Sequence, residues 1–276
     1  MLPLQHPLRI AEDAALIDEL SHGRFSLAVG RGWQLPEFGA FQIDQTASRG
    51  MFAEAMEIIQ RRGLKISFLS KVITGHSKTF QCSLSQSRSH SHPIYQTVVT
   101  PGPYKRAGSQ CLPIIRSLNF VSIDTVEVGT KLYKTELQKN GKQLSDIDLP
   151  LSVKIHVDDS DEEAEKDAAP NAQWFYSALS QFLPGSPGRA RPSNGYEEYP
   201  DTPEKVAELA DDDPWVWCAC YGSPETVLKS MQAYSERVYT NHWVTWMRIG
   251  QLPHEKVMRS MELFTKEVMP KLKANG

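Results

Sequence analysis

Hydrophobic positions along the chain follow two spacings, one typical of helices and the other of strands. Leu8, Ala11 and Ala15 share one face before His22-Gly23, which predicts an amphipathic helix from Pro7 and its end. Residues 25–29 alternate small and large side chains and predict a strand, which Gly30-Arg31-Gly32 interrupts with a loop. Residues 48–60 return to helical spacing and predict a second helix.

The same alternation of strand and helix continues to the end of the chain. Strands are predicted at residues 94–99, 112–115, 151–157, 215–220 and 242–249, and helices at residues 104–107, 123–140, 161–182, 224–237 and 253–272. Residues 184–203 are rich in Gly, Pro and Ser and predict a long loop excursion. We interpret the strands as apolar on both faces, which favours a parallel sheet covered by helices. This pattern leaves both a barrel and a doubly wound sheet open.

Length and charge narrow the classes of partner. The 276 residues suit one large α/β domain over residues 1–276. A net charge of -3 provides no overall field to attract nucleic acid or an anionic membrane. A small molecule is therefore the expected partner, with no nucleic acid and no membrane.

The cysteines and histidines give no metal signature. Four cysteines at irregular spacing indicate a reducing compartment, and with no apolar run long enough to cross a bilayer we expect a cytoplasmic protein. Cys218 and Cys220 fall on the same side of a predicted strand, but no second pair of ligands follows at zinc-like spacing. Buried thiols explain them better. His90 lies in residues 61–91, an atypical serine-rich segment, and His92 follows it directly. We build no function on these two histidines, and no metal site is expected.

Short motifs carry a more specific signal. They are His6-Pro7-Leu8-Arg9-Ile10-Ala11-Glu12-Asp13, Asp18-Glu19-Leu20-Ser21-His22-Gly23-Arg24-Phe25, Val29-Gly30-Arg31-Gly32-Trp33, Leu112-Pro113-Ile114-Ile115 and Tyr221-Gly222-Ser223-Pro224-Glu225-Thr226-Val227. With residues 252–270 they resemble the bacterial luciferase-like monooxygenase family over nearly the whole chain. Residues 61–91 are the exception.

This resemblance implies a fold and a reaction. The fold is a TIM (β/α)₈ barrel of the luciferase-like type with the flavin at the carboxyl ends of the strands. The reaction is oxidation of a small organic substrate by O₂ and reduced FMN, the substrate being an aldehyde, alkane, sulfonate or terpenoid-like compound. The resemblance also implies a flavin reductase as partner and a homodimer in the full-length form.

Two alternatives remain open at this point. The deazaflavin F420 serves one branch of the family, in which the same barrel transfers hydride without O₂. A non-catalytic barrel paralogue that pairs with a catalytic subunit is the second alternative. The retained Gly30-Arg31-Gly32 and Arg49 oppose the second alternative.

Carried over residue by residue, the resemblance implies a site for the flavin phosphate. Arg31 follows a strand and Arg49 begins a helix, and a guanidinium offers a fork of donors to phosphate oxygens. Arg248 near the last strand is a candidate for phosphate or substrate. His6 would end the third family strand and is the catalytic candidate facing the flavin. A solvated charge at the arginines and a structural role for His6 are the competing interpretations.

The segment after the strand at residues 94–99 would complete this site. The resemblance assigns Thr100 and the backbone amides of Gly102 and Tyr104 to a helix N-terminus that receives the phosphate. Thr100 is also a candidate helix cap. Pro103 departs from the family pattern because proline has no amide hydrogen to donate, which predicts weaker phosphate binding.

The chain is expected to differ from the family in two respects. We expect the barrel to be incomplete, lacking about the first three strand-helix units, which would leave apolar sheet edges. Residues 61–91 are serine-rich with weak periodicity, and offset codons for this stretch can spell family-like text. A reading-frame shift is therefore the hypothesis for residues 61–91, which the coding DNA tests.

Overall fold

A computed structural model describes residues 1–60, 66–69, 79–82, 93–119, 121–180 and 220–273. The chain divides into two compact units, Met1–Tyr95 and Gln96–Gly276. Much of the atypical segment 61–91 and all of the loop excursion 184–203 lie outside the described residues.

The first unit consists of helices and short strands. Its elements are α1 (Pro7–Leu20), β1 (Leu27–Val29), α2 (Leu35–Ala40), α3 (Ser48–Gln60), β2 (Ile66–Leu69), β3 (Thr79–Cys82) and the start of β4 (Ile94–Thr97). β2 and β3 are antiparallel. The Leu27 N–H donates to the Pro93 carbonyl at 2.9 Å. A small apolar core joins α1, β1 and α3 and contains Leu2, Ala11, Val29, Ala55, Met56 and Ile59.

Local sequence sets the limits of α1. The helix begins at Pro7, whose fixed φ suits a first helical position, and the His6 Nδ1 accepts from the Leu8 N–H at 3.3 Å. It ends where His22 and Gly23 take positive φ values of 49° and 80°. The expectation that His6 ends a strand was wrong, because Leu2–Leu4 is a 3-10 turn. Pro3 has no amide hydrogen for a strand ladder but fits this turn.

The second unit continues the alternation of strand and helix. It contains the end of β4, α4 (Pro101–Ser109), β5 (Ile114–Ser117), α5 (Ile123–Lys139), β6 (Pro150–Val157), α6 (Asp161–Ser180), β7 (Cys220–Gly222), α7 (Pro224–Val238), β8 (His242–Trp246), α8 (His254–Leu263) and α9 (Met269–Lys273). A π-helical turn, Phe264–Val268, joins α8 to α9 and interrupts the predicted C-terminal helix. Among the described helices, none is long and apolar enough to cross a membrane.

All strand pairings in the second unit are parallel, and β6 is at their centre. β5 pairs with one edge of β6. β8 pairs with Pro150–Lys154 on the opposite edge, and β7 pairs with Ile155–Val157. A closed (β/α)₈ barrel pairs each strand with the next in the chain, so β8 would pair with β7. The parallel α/β sheet is as predicted, and across the described residues it does not close, which agrees with the expectation of an incomplete barrel.

One face of β6 is the core of the second unit. Leu151, Val153, Ile155 and Val157 are each 0% exposed. They pack against apolar residues of α5, α7 and the C-terminal segment, including Val126, Val227, Met231, Leu263 and Val268. A side chain period of two on the strand gives this face its uniform apolar character.

The other face of β6 corrects the expectation of strands that are apolar on both faces. Ser152, Lys154 and His156 alternate with the core residues, and the last two are 1% exposed. Lys154 and His156 are buried almost as deeply as the apolar residues, whereas Ser152 is only partly buried. The prediction of apolar character on both faces was therefore wrong for β6.

Candidate active site

The loop that carries Arg31 is hydrogen-bonded to the turn before α3, and α3 carries Arg49. Gln45 is buried, and its Nε2 donates to the Trp33 carbonyl at 3.0 Å. Asp44 shapes the same turn by accepting from the Thr46 hydroxyl at 2.6 Å and from the Thr46 N–H at 2.8 Å. These two bonds hold the pKa of Asp44 below its ordinary value. The two arginines are therefore presented by segments that share one hydrogen-bonded connection.

Arg31 and Arg49 differ in exposure. Arg31 is partly buried in the loop after β1, whereas Arg49 is exposed at the second position of α3. A helix N-terminus carries partial positive charge, so an anion near Arg49 would also interact favourably with the helix dipole. Both positions suit a phosphate.

The N-terminus of α4 has few amide donors. Pro101 and Pro103 have no N–H, and helix geometry turns the Tyr104 amide back toward the Thr100 carbonyl. Gly102 thus provides the N–H of the first turn that lacks an intrahelical acceptor. Thr100 is the N-cap residue and is buried, but its hydroxyl makes no capping hydrogen bond. The available groups for an anion are the Gly102 amide and the Thr100 hydroxyl.

The Tyr104 side chain belongs to the core. It is 1% exposed and packs directly over Gly129 of α5, where an added Cβ would lie only 2.4 Å from the Tyr104 Cε2. Burial raises the pKa of the Tyr104 hydroxyl. Tyr104 would contact a ligand through its backbone and not through its ring.

His6 and Arg248 are both exposed. His6 caps α1 through Nδ1, as described above, which matches its structural interpretation. Arg248 lies two residues beyond the end of β8. His6, Arg31 and Arg49 belong to the first unit, and Thr100, Gly102, Tyr104 and Arg248 belong to the second.

The polar face of β6 is a functional candidate that the sequence analysis did not identify. The Lys154 Nζ lies 4.6 Å from the ring centroid of Phe175 and 5.2 Å from that of Trp246. It also donates to the Asn119 carbonyl at 3.4 Å, and the Asn119 Nδ2 donates to the Ser152 Oγ at 3.1 Å. The ammonium lies over the electron-rich faces of both rings, and this cation–π contact stabilises its positive charge.

His156 occupies the carboxyl end of the same face. Burial lowers its pKa, and the carboxylates of Asp167 and Asp158 oppose that shift. Barrel enzymes place their chemistry at the carboxyl ends of the strands, and His156 lies at this end of β6. The alternation of residues 151–157 in the sequence already contained this signal.

Arg116 is a second buried cation on the strands, with a structural role. It is 0% exposed, and its Nη1 and Nη2 donate to the carbonyls of Val238 at 2.6 Å, Leu149 at 2.8 Å and Tyr239 at 2.9 Å. Burial lowers the pKa of the guanidinium to about 10. Arg116 thereby connects β5 to the end of α7.

Comparison with known proteins identifies relatives of the chain. Limonene 1,2-monooxygenase of Rhodococcus erythropolis is 24% identical over 243 residues, which are 86% of this chain and 58% of that protein. The alkanal monooxygenase alpha chain of the Kryptophanaron alfredi symbiont is 27% identical over 184 residues, which are 65% of this chain and 50% of that protein. The chain therefore spans about half the length of these curated relatives.

Solved structures share the fold. The monooxygenase RslO1 from Streptomyces bottropensis has a TM-score of 0.78 at 19% identity, covering 99% of this chain and 76% of that chain. The oxygenating constituent of 3,6-diketocamphane monooxygenase from Pseudomonas putida, in complex with FMN, has a TM-score of 0.68 at 18% identity, covering 98% of this chain and 78% of that chain. An F420-dependent secondary alcohol dehydrogenase has a TM-score of 0.67 at 15% identity, covering 96% of this chain and 74% of that chain.

The family profile shows the family. The luciferase-like monooxygenase profile matches residues 1–241, which carry β1 to β7 and most of the predicted site. The parallel arrangement of β5, β6, β7 and β8 and the structural neighbours agree with this match. The chain belongs to the luciferase-like monooxygenase family.

Proposed function

We propose that the chain acts as a flavin-dependent monooxygenase that uses reduced FMN and O₂ to oxidise a small organic substrate. The observation that carries the proposal is the family match over residues 1–241. The two curated relatives named above are both monooxygenases. An aldehyde, alkane, sulfonate or terpenoid-like compound is the proposed substrate class.

The flavin is proposed to be held by its phosphate. In the first unit, Arg31 and Arg49 would supply positive charge and forked donors. In the second unit, the Gly102 amide and the Thr100 hydroxyl are the candidate donors. Reduced flavin, when bound, supplies the chemistry that reacts with O₂. The work of the protein is to hold the anionic tail and to exclude water around the reacting ring. Arg248 and His6 are proposed contacts to phosphate or substrate and to the flavin ring.

F420 is the alternative cofactor, since the F420-dependent dehydrogenase has a TM-score of 0.67, against 0.68 for the FMN-bound monooxygenase. With F420 the same site would serve hydride transfer and O₂ would not be consumed. A flavin reductase and a second copy of the chain are the proposed partners of the FMN-dependent reaction.

A cofactor titration tests the proposal. The purified chain is titrated with FMN and separately with F420, beside a form lengthened upstream in the coding DNA. We expect saturable FMN binding, and O₂ uptake when a reductase and a candidate aldehyde are added. Saturable F420 binding without O₂ uptake would assign hydride transfer instead. Absence of binding to either cofactor in both forms would reject a cofactor-dependent function.

A further inference from the structure

His156 is a buried side chain with both ring nitrogens available. It is 1% exposed, and neither Nδ1 nor Nε2 has a hydrogen-bond partner in the described part of the chain. Its Nε2 lies 3.7 Å from the Asp167 Oδ2 and 3.9 Å from the Asp158 Oδ2. Burying an imidazole without hydrogen bonds costs free energy, so a bound ligand would stabilise this arrangement.

The distances around His156 suit a metal ion better than direct hydrogen bonds. At 3.7 and 3.9 Å, Nε2 is too far from both carboxylates to hydrogen-bond. One ligand atom from each of His156, Asp158 and Asp167 lies within 4.8 Å of the others. Tetrahedral bonds of about 2.1 Å place ligand atoms about 3.4 Å apart, so the two distances from His156 Nε2 to the carboxylates are close to those of a coordinated set.

We propose that His156, Asp158 and Asp167 bind a divalent transition metal ion of the zinc type. One imidazole and two carboxylates are ligands that such ions accept, with water in the remaining position. The expectation of no metal site rested on the cysteine and histidine spacings, which this cluster does not use. Its ligands come from the end of β6 and from α6.

The backbone around the cluster is held in place before any ion binds. The Asp158 N–H donates to the Gly222 carbonyl at 3.1 Å, and the Val157 N–H donates to the Ser260 Oγ at 2.8 Å. One turn after Asp167 in α6, the Asn171 Oδ1 accepts from the Gln251 N–H at 2.8 Å. Such support limits the reorganisation that metal binding requires.

Lys256 competes for the same carboxylates. Its Nζ contacts the Asp167 Oδ2, and this bond raises the pKa of the Lys256 ammonium. The Lys256 side chain is 48% exposed, so it can turn into solvent when an ion enters. Two carboxylates then balance the two charges of the ion. Removing the ammonium is therefore expected to tighten metal binding.

Titration of the chelator-treated chain with Zn²⁺, and with Co²⁺ as an absorbing substitute, tests the site. We expect one saturable ion per chain and a rise in thermal stability. His156→Gln and Asp167→Asn should each weaken binding about tenfold or more, because each removes one of three protein ligands. Lys256→Met should tighten binding about fivefold, because a partly exposed ion pair competes only modestly.

His242→Gln is the matched control. His242 is also a histidine beside a carboxylate, but it faces only one in the described part of the chain, with Nδ1 at 3.0 Å from the Asp148 Oδ2, and it is exposed. Its substitution should leave metal affinity unchanged. If His156→Gln fails to fold by circular dichroism, Asp158→Asn replaces it in the comparison. The proposal is overturned if neither the wild type nor Lys256→Met binds saturably, or if binding survives the substitution of the ligands.

Discussion

At the scale of single residues, two arginines of the first unit are the proposed attraction for a phosphorylated cofactor, because each offers a charged fork of donors. In the second unit the N-terminus of α4 contributes few amide donors, because Pro101 and Pro103 lack amide hydrogens. An anion at that N-terminus is left with the Gly102 amide and the Thr100 hydroxyl. We therefore propose that Arg31 and Arg49 supply most of the binding free energy for a phosphate.

The first prediction concerns these arginines. Arg31→Ala and Arg49→Ala should each weaken FMN binding at least about tenfold, since a hydrogen bond to a charged group contributes about 1.5–3 kcal/mol. Fluorescence titration with FMN measures the effect in a form that binds FMN. Arg9→Ala is the control, because Arg9 is likewise an exposed arginine in the first turn of a helix. Unchanged affinity in the double variant would remove the basis of the proposed function.

At the scale of elements, two kinds of polar contact connect the strands and helices of the second unit. Arg116 joins β5 to the end of α7 through buried hydrogen bonds to carbonyls. Arg237 joins α7 to α5 at the surface, where it pairs with Asp124 and with the Glu127 Oε2 at 2.6 Å. The buried hydrogen bonds of Arg116 should contribute more to the free energy of unfolding than the surface pairs of Arg237. Water can replace the surface contacts but has little access to the buried carbonyls.

The second prediction compares these two arginines. Arg116→Met should lower the free energy of unfolding by about 3–5 kcal/mol, because it removes the charged hydrogen bonds that Arg116 donates to the carbonyls of Val238, Leu149 and Tyr239. Arg237→Ala should have a much smaller effect, since its guanidinium and both partners are accessible to water. Urea denaturation measures both. Equal losses in the two variants would show that the buried hydrogen bonds contribute no more than the surface pairs.

The third prediction concerns Asp161, which connects the first turn of α6 to the turn before α7. Its Oδ1 accepts from the Ser223 N–H at 2.6 Å and its Oδ2 from the Thr226 Oγ1 at 2.9 Å. These bonds, the Ser223 amide foremost, hold the pKa of Asp161 below 3.8. A depressed carboxyl pKa stabilises the fold above the unfolded pKa, and the stabilisation disappears as pH falls through the folded pKa.

Asp161→Asn should therefore be less stable than the wild type at pH 7 by about 1 kcal/mol, after allowance for solvent screening. The difference should shrink as the pH falls below the unfolded carboxyl pKa of about 3.9, and it should disappear once the carboxyl is protonated in the folded state too. Glu162→Gln, in the same exposed turn, is the control and should show no comparable difference. A difference that stays constant with pH would rule out the carboxylate charge as its source.

At the scale of the whole molecule, the pairing of β6 sets the sheet. β6 pairs along eight residues with β5, β7 and β8. Sequence periodicity marked the strands outside residues 61–91 but says nothing about which strands pair. The pairing depends on which apolar faces pack together once the chain is compact. The sheet order was therefore left open by the pattern, and the sheet that the described strands form is open, in agreement with the expectation of an incomplete barrel.

The candidate site was predicted unevenly, for the same reason. The motif around Arg31 and the start of α3 at Ser48 could be recognised because local sequence fixes a loop glycine and a helix start. His156 and Lys154 were missed because their importance lies in burial and in neighbours far along the chain. Asp167 and Trp246 are such neighbours. The alternation of residues 151–157 marks the polar positions of the strand, but no local pattern gives their distant contacts.

The sequence by itself determined where α1, α3, α5, α6 and α7 begin, which segments outside residues 61–91 are strands, and to which family the chain belongs. Helix caps, proline positions and the period of apolar residues are local, so a single sequence carries them. Tertiary structure alone decided that β8 pairs with β6 and that a buried histidine meets two carboxylates. Those outcomes depend on distances between residues far apart in the chain, which only the packed chain sets.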